Sequence, residues 1–158
     1  MKDNREVLEA LGTKKKSKEK PKFVYGFTSS HGLLLDLDNT SLDETRKIAK
    51  KYMERFKLEG YMILRSSQNN YHVVFNRYLS WKKVLSCLFK IVWFYHFHKH
   101  GSKPSLTFWA ILQACKETET LRISMKERKA VPKVVQTKGK TDKLIKDYLD
   151  FMCEMNKT

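Results

Sequence analysis

The sequence predicts an α+β fold with a largely antiparallel sheet of RRM-like or ferredoxin-like type, its helices packed on one face. Two observations lead to this prediction. Apolar runs of strand length come in pairs joined by a few polar or small residues, and helical patterns stand between the pairs. The predicted order of elements is therefore ββ-α-ββ-αα-ββ-α, which is typical of a sandwich of helices on an antiparallel sheet and not of a doubly wound parallel sheet.

The first half of the chain predicts two strand pairs around one helix. Ser41 is the expected N-cap of that helix, because Asp43 and Glu44 follow in its first turn, where the helix dipole favours acidic side chains. Gly60 is expected to end it. The predicted elements are strands 23–29 and 31–38, which we expect to pair with each other, the helix 42–58, and strands 61–67 and 71–76, which form a tight hairpin.

The second half predicts two helices, two strands and a closing helix. The first helix is apolar on most sides, which indicates that it is largely buried. The closing helix is amphipathic, with Leu144, Ile145 and Tyr148 among its inward residues. The predicted elements are helices 81–98 and 104–115, strands 120–126 and 131–137, and the helix 142–155.

Size and charge indicate one intracellular domain with a polyanionic partner. The chain has 158 residues, and its 32 Lys and Arg against 17 Asp and Glu give a formal charge of +15. No 18-residue apolar run is present, so we expect no membrane span. The three cysteines are odd in number and far apart, and the first residues have no apolar core of signal-peptide type. We therefore expect a cytoplasmic, reducing location.

Residues 1–22 are predicted to form a basic flexible arm ahead of a domain that spans residues 23–158. The segment from Lys14 to Lys22 contains six lysines. Such a run repels itself and stays solvated, and it is either a solubilising tail or an arm that binds phosphates. The lysines expected to contact nucleic acid are Lys14, Lys15, Lys16 and Lys18.

The strongest chemical signal is an acidic pair in the run LLLDLDNT, residues 33–40. Alternate side chains of a strand share a face, so Asp36 and Asp38 are predicted to point the same way, about 7 Å apart. Two carboxylates this close to a run of leucines need a counter-charge. Divalent cations supply one in phosphoryl-transfer sites, although the two residues could also simply end the strand.

Two further segments are candidates for phosphate binding. In SSQNNYHVVF, residues 66–75, His72 is predicted to lie on the strand face opposite Tyr71, Val73 and Phe75. In the segment 117–129, Arg122, Ser124 and Lys126 alternate with apolar residues. A row of Arg, hydroxyl and Lys suits a triphosphate, but an ordinary solvated strand face has the same pattern.

These three segments, in this order, resemble the archaeo-eukaryotic primase family. Its acidic hhhDxD strand corresponds to Asp36 and Asp38, its SxH-type segment to residues 66–72, and its later acid and basic strand to Glu117 or Glu119 followed by Arg122. The resemblance covers roughly residues 24–136. It implies catalysis by Asp36, Asp38 and Glu119, metal binding by Asp36, Asp38 and Glu117, and nucleotide binding by Ser67, His72, Arg122, Ser124 and Lys126.

The resemblance implies a primase-polymerase-like nucleotidyltransferase of minimal size. Such an enzyme synthesises or extends primers on single-stranded DNA or RNA from nucleoside triphosphates, with Mg²⁺ or Mn²⁺, and an accessory replication subunit is a further expected partner. Strand parity, however, puts Glu119 on the apolar side with Leu121.

Two alternatives remain open on the sequence. Residues 33–42, LLLDLDNTSL, also resemble the first motif of haloacid-dehalogenase-type phosphatases, with Asp36 as nucleophile, Asp38 as acid/base and Thr40 in support. That fold needs parallel strands and a second acidic pair, for which Asp142 with Asp147 is the best candidate. The other alternative is a non-catalytic RRM-like nucleic-acid-binding protein. Its sheet would stack bases on Tyr25, Phe27, Tyr71 and Phe75.

Overall fold

The computed structural model describes residues 25–98, 104–124 and 130–157. Within these ranges the chain forms a four-stranded sheet, a separate two-stranded sheet and four helices. All strand pairs are antiparallel. The predicted α+β class with an antiparallel sheet is therefore confirmed.

The elements follow each other in the predicted alternation. The strands are β1 (Gly26–Ser29), β2 (Gly32–Leu37), β3 (Gly60–Ser67), β4 (Asn70–Tyr78), β5 (Glu119–Arg122) and β6 (Lys133–Gly139). The helices are α1 (Leu42–Arg55), α2 (Trp81–His98), α3 (Pro104–Lys116) and α4 (Leu144–Met155). No described helix is both long enough and apolar enough to cross a bilayer.

The four-stranded sheet has the order β2-β4-β3-β6. Strands β2 and β3, joined by α1, run parallel with β4 inserted antiparallel between them, which is a split βαβ unit. The last strand, β6, pairs with the free edge of β3, whereas a complete ferredoxin-like sheet would place it beside β2. Gly60 permits this pairing, because a Cβ there would lie 2.2 Å from the carbonyl oxygen of Lys140.

The helix cap and the hairpin turn predicted in the first half of the domain are both present in the structure. The Ser41 side chain accepts a hydrogen bond from the Glu44 N–H at 3.1 Å and caps α1. The β3–β4 hairpin turns at Gln68 and Asn69, and Asn69 has a φ of 56°, a left-handed conformation that asparagine tolerates. Helix α1 ends earlier than predicted, at Arg55, because the chain reverses at Lys57 with a φ of 53°.

The predicted partners of β1 and β5 are corrected by the structure. Strand β1 pairs with β5, from Gly26 opposite Arg122 to Ser29 opposite Glu119, and does not pair with β2. Strands β5 and β6 likewise lie in different sheets. Phe27 of β1 packs on Tyr148 at 5.0 Å between ring centroids, so β1 contacts α4, and the bend at Ser30 and His31 separates β1 from β2.

Both faces of the four-stranded sheet are covered. One face, here called the helical face, packs against α1, α2 and α3 through alternate residues such as Leu35, Val73 and Phe75. The other, here called the α4 face, packs against α4 and β5, through Leu34, Met62, Leu64 and Val74 on the sheet and Leu121, Ile123, Leu144, Ile145 and Tyr148 opposite. The expectation that all helices lie on one face therefore holds for α1, α2 and α3 and is corrected for α4.

Candidate functional site

The candidate site is centred on Asp36 and His72. The two residues stand directly opposite each other on β2 and β4, and both project to the α4 face. His72 Nε2 lies 3.6 Å from Asp36 Oδ1. The Asp36 side chain is 32% exposed and that of His72 is buried, so the pair sits at the edge of the packed face, with the carboxylate outermost.

Arg122, the last residue of β5, lies near Asp36 and adds a third strand to the candidate site. Its guanidinium donates to three backbone carbonyl oxygens: Ser66 at 2.7 Å, Ala130 at 2.9 Å, and Ser124. It therefore fastens the end of β5 to the end of β3 and to the segment before β6. Burial lowers the pKa of Arg122, and the nearby Asp36 carboxylate opposes this by favouring the charged form.

Tyr148 of α4 completes the surroundings of Asp36 and Arg122. Its side chain is fully buried, and its hydroxyl lies 3.5 Å from the Arg122 carbonyl oxygen, which it faces as donor. Burial raises its pKa far above the usual tyrosine value, with the neighbouring Arg122 charge acting the other way. Sequence reasoning placed Tyr148 in the core but not at the site, because only the crossing of α4 over the sheet brings it there.

Asp38 follows the last residue of β2 and is partly exposed. Its loop is fixed to the β3–β4 hairpin: the Thr40 N–H donates to the Asn69 carbonyl at 2.8 Å, and the Asn39 N–H donates to Asn70 Oδ1 at 2.9 Å. Asn39 has a φ of 51°. The second carboxylate thus stands in a loop with a defined conformation, next to the hairpin that carries His72.

The two candidate third acids lie elsewhere. Glu119 is fully buried, and its Oε2 accepts a hydrogen bond from the Leu34 N–H at 2.5 Å. Burial raises its pKa well above the usual carboxyl range, because the charged form would lie in the core without a counter-charge. Glu117 is exposed in the turn after α3, with a φ of 57°. Among the described residues, no three His, Cys, Asp or Glu side chains are grouped to hold a metal ion.

A groove of about 500 Å³ adjoins the site at the ends of β3 and β6. Arg122 donates to the carbonyls of Ser66 and Ala130, which both line it. The Ser67 hydroxyl accepts from Asn70 Nδ2 at 2.6 Å. Among the described residues, the lining includes two cations and no acid; these residues are Arg65, Ser66, Ser67, Gln68, Ala130, Val131, Lys133, Val134 and Val135.

The remaining residues named from the sequence fall in other places. Ser124 is buried, and its hydroxyl accepts from the Tyr25 N–H at 2.8 Å, where it fastens the start of β1. Ile123 packs on the α4 face. The five lysines named as candidates for phosphate binding lie outside the described residues; they are Lys14, Lys15, Lys16, Lys18 and Lys126.

The aromatic residues expected to stack bases are mostly inside the protein. Tyr71 and Phe75 belong to the core on the helical face, and Phe27 packs between Tyr148 and Phe151. Only Tyr25 among the four is exposed. The sheet therefore offers no RRM-like stacking platform built from these residues.

The arrangement needed by a haloacid-dehalogenase-type phosphatase is also not seen in the described strands. Such a site needs parallel strands, whereas every described pair is antiparallel. Asp142 accepts a hydrogen bond from Asn76 Nδ2 at 3.0 Å, and Asn76 lies four residues along β4 from His72, about 13 Å away. Asp142 therefore does not stand beside Asp36.

Asp36, His72 and Arg122 thus come from three strands to one point, with Asp38 in the adjoining loop and a basic groove alongside. Comparison of the chain with protein-family models, with curated proteins and with solved structures gives no match.

Proposed function

We propose that this protein is a primase-polymerase-like nucleotidyltransferase that extends or starts primers on a single-stranded DNA or RNA template. The observation that carries the proposal is that Arg122 of β5 lies close to the Asp36–His72 pair on the α4 face, although Asp36 and Arg122 are 86 residues apart in sequence. These are the residues on which the resemblance to the archaeo-eukaryotic primase family rests.

The donor set fits a magnesium or manganese ion that is shared with a nucleotide. Asp36 is one-third exposed and Asp38 is partly exposed, so both carboxylates are accessible to a cation. Mg²⁺ is commonly bound by one or two carboxylates together with substrate phosphates, so a third protein acid is not required for binding. When bound, the metal ions would activate the attacking 3′-hydroxyl and neutralise the leaving pyrophosphate.

His72 and Arg122 would act on the triphosphate in different ways. The His72 ring can donate a hydrogen bond to a phosphate oxygen, and its Nε2 lies 3.6 Å from Asp36 Oδ1. Arg122 has three of its five N–H groups committed to backbone carbonyls. It would therefore serve chiefly as a fixed positive charge behind the phosphates and less as a bidentate fork.

The groove beside Arg122 would receive the nucleotide. Arg65 and Lys133 place positive charge on its rim, and Ser67 and Gln68 offer polar groups at the hairpin end. Its volume of about 500 Å³ is in the range of small-molecule sites.

Primer extension by the full chain tests this function. Labelled primer-template is incubated with nucleoside triphosphates and Mg²⁺ or Mn²⁺, and Asp36→Asn and Asp38→Asn are each expected to abolish incorporation. Asp43→Asn is the control, because Asp43 lies on the first turn of α1 and pairs only with Arg46 at 2.8 Å in the contacts described. Wild-type extension by either site variant would refute the assignment.

A second candidate function is nucleic-acid binding without catalysis. The burial of Glu119 against the Leu34 backbone favours it, because that residue is then not available as the third acid of the family pattern. In the extension assay this candidate predicts no incorporation with either metal. When binding of the labelled primer-template is measured, it predicts binding by the wild-type chain and no loss of binding in Asp36→Asn.

A further inference from the structure

Helix α2 presents an outward face that combines aromatic and basic side chains. Ser86, Phe89, Lys90 and Trp93 recur at spacings of three and four residues, which puts them on one side of the helix. The opposite side, with Val84, Cys87, Leu88 and Ile91, is buried on the helical face of the sheet. Phe89 is 49% exposed and Trp93 is 62% exposed, although both are large apolar side chains.

This outward face forms one wall of a groove of about 600 Å³ between α1 and α2. Phe94 also lines the groove; its ring lies 3.0 Å from Lys51 Nζ and packs edge-on against Tyr52. The groove is therefore a supported feature of the fold and not a gap between mobile side chains. Its lining residues are Arg55, Ser86, Phe89, Lys90, Trp93 and Phe94.

The charged residues that line this groove are positive. Arg55 and Lys90 line it, and none of the described residues that line it is acidic. Over residues 81–98 helix α2 has three lysines and neither Asp nor Glu. Exposed aromatic rings interleaved with cations are typical of surfaces that bind single-stranded nucleic acid, where bases stack on the rings and phosphates contact the cations.

We propose that this groove binds single-stranded nucleic acid, with bases stacked on Trp93 and Phe89 and phosphates contacted by Arg55 and Lys90. The charge favours a polyanion as the occupant, because its phosphates would contact the exposed cations Arg55 and Lys90. The groove lies on the helical side of the sheet, whereas Asp36 and His72 project to the α4 face. It is thus a separate binding surface, and its occupancy does not depend on the proposed catalysis.

Fluorescence anisotropy of a labelled oligothymidine with the full-length chain tests the proposal. Trp93→Ala is expected to raise the Kd about 5- to 150-fold, the effect of losing one stacked base. Trp93→Phe keeps an aromatic face and is expected to stay within about threefold of wild type, in keeping with base–aromatic stacking. Ile111→Ala is the matched control, because Ile111 is an exposed apolar residue on another helix, α3, and its loss should not change the Kd.

Salt dependence and self-association complete the test. Lys90→Gln is expected to make the log Kd against log salt slope shallower by about 0.7, the value for one phosphate contact on a single strand. A Trp93→Ala Kd equal to that of Ile111→Ala would overturn the proposal. So would a wild-type dimer that Trp93→Ala converts to monomer with no change in oligothymidine affinity, because the face would then join two copies of the chain.

Discussion

The buried carboxyl of Glu119 makes the stability of this protein depend on pH in a defined direction. The side chain is 0% exposed, Oε2 accepts one hydrogen bond from the Leu34 N–H, and Oε1 has no hydrogen-bond partner among the described residues. Burial keeps the folded-state pKa well above the usual value of 4.5. An uncharged carboxyl is the form that this site can hold without a counter-ion.

The sign of the effect follows from proton linkage. Below pH 4.5 Glu119 is protonated in both the folded and the unfolded chain, and its contribution does not change with pH. Above pH 4.5 the unfolded chain loses the proton while the folded chain keeps it, so stability falls as pH rises towards the folded-state pKa. The loss is about 1.36 kcal/mol for each pH unit in that window.

Glu119→Gln removes this titration and keeps an oxygen that can accept from the Leu34 N–H. The free energy of unfolding is measured by urea denaturation at pH 4.5, 5.5 and 6.5 for the wild type, for Glu119→Gln and for the exposed control Glu117→Gln. The advantage of Glu119→Gln over wild type should grow as pH rises through this range, by at most about 1.36 kcal/mol for each pH unit, while the control shows no such trend. A difference that does not change with pH would refute the reasoning, because Glu119 would then be ionised in the folded protein.

Three further predictions concern the site and the arm. Arg122→Lys should lower the free energy of unfolding by about 3 kcal/mol in urea denaturation, because lysine cannot hold three carbonyls at once; an unchanged value would show that these bonds contribute nothing. His72→Ala should weaken binding of a non-hydrolysable nucleoside triphosphate about 10- to 150-fold in calorimetry and leave template affinity unchanged, whereas equal loss of both would give His72 a structural role. Deleting residues 1–22, which include six lysines between Lys14 and Lys22, should flatten the log–log salt slope of DNA binding by roughly 2–3 units, and an identical slope would make the arm irrelevant to binding.

Local signals in the sequence predicted the elements and the faces of the central strands. The N-cap Ser41 and the turn at Gln68 and Asn69 act over three or four residues, so the sequence pattern contains them in full. Alternation placed His72 opposite Tyr71 and Val73 and put Glu119 on the side of Leu121, and the structure has both arrangements. Periodicity is sufficient here because the side-chain direction of a strand depends only on parity.

The pairing of strands that are distant in sequence could not be predicted from local patterns. Strand β1 pairs with β5, more than 90 residues later, and β6 pairs with β3. The residues in and around each strand do not specify either of these partners. One feature of the sequence does indicate that both faces of β2 are buried. The apolar run Leu33, Leu34 and Leu35 is continuous and not alternating, which is typical of a strand buried on both faces. Because all helices were expected on one face of the sheet, the coverage of the other face by α4 and β5, up to the edge where Asp36 is partly exposed, was not predicted.

Binding of Mn²⁺ in the presence of a non-hydrolysable nucleoside triphosphate tests the central claim most directly. The electron paramagnetic resonance signal of free Mn²⁺ is followed in titrations of the full-length chain, of Asp36→Asn and of the control Asp43→Asn, each with and without the nucleotide. We expect the wild type and Asp43→Asn to take up Mn²⁺ strongly only when the triphosphate is present, since two carboxylates and the phosphates together form the ligand set. Asp36→Asn should lose this uptake. Equal uptake by Asp36→Asn and wild type, or no dependence on the triphosphate, would contradict the assignment of Asp36 and Asp38 as the metal-binding pair.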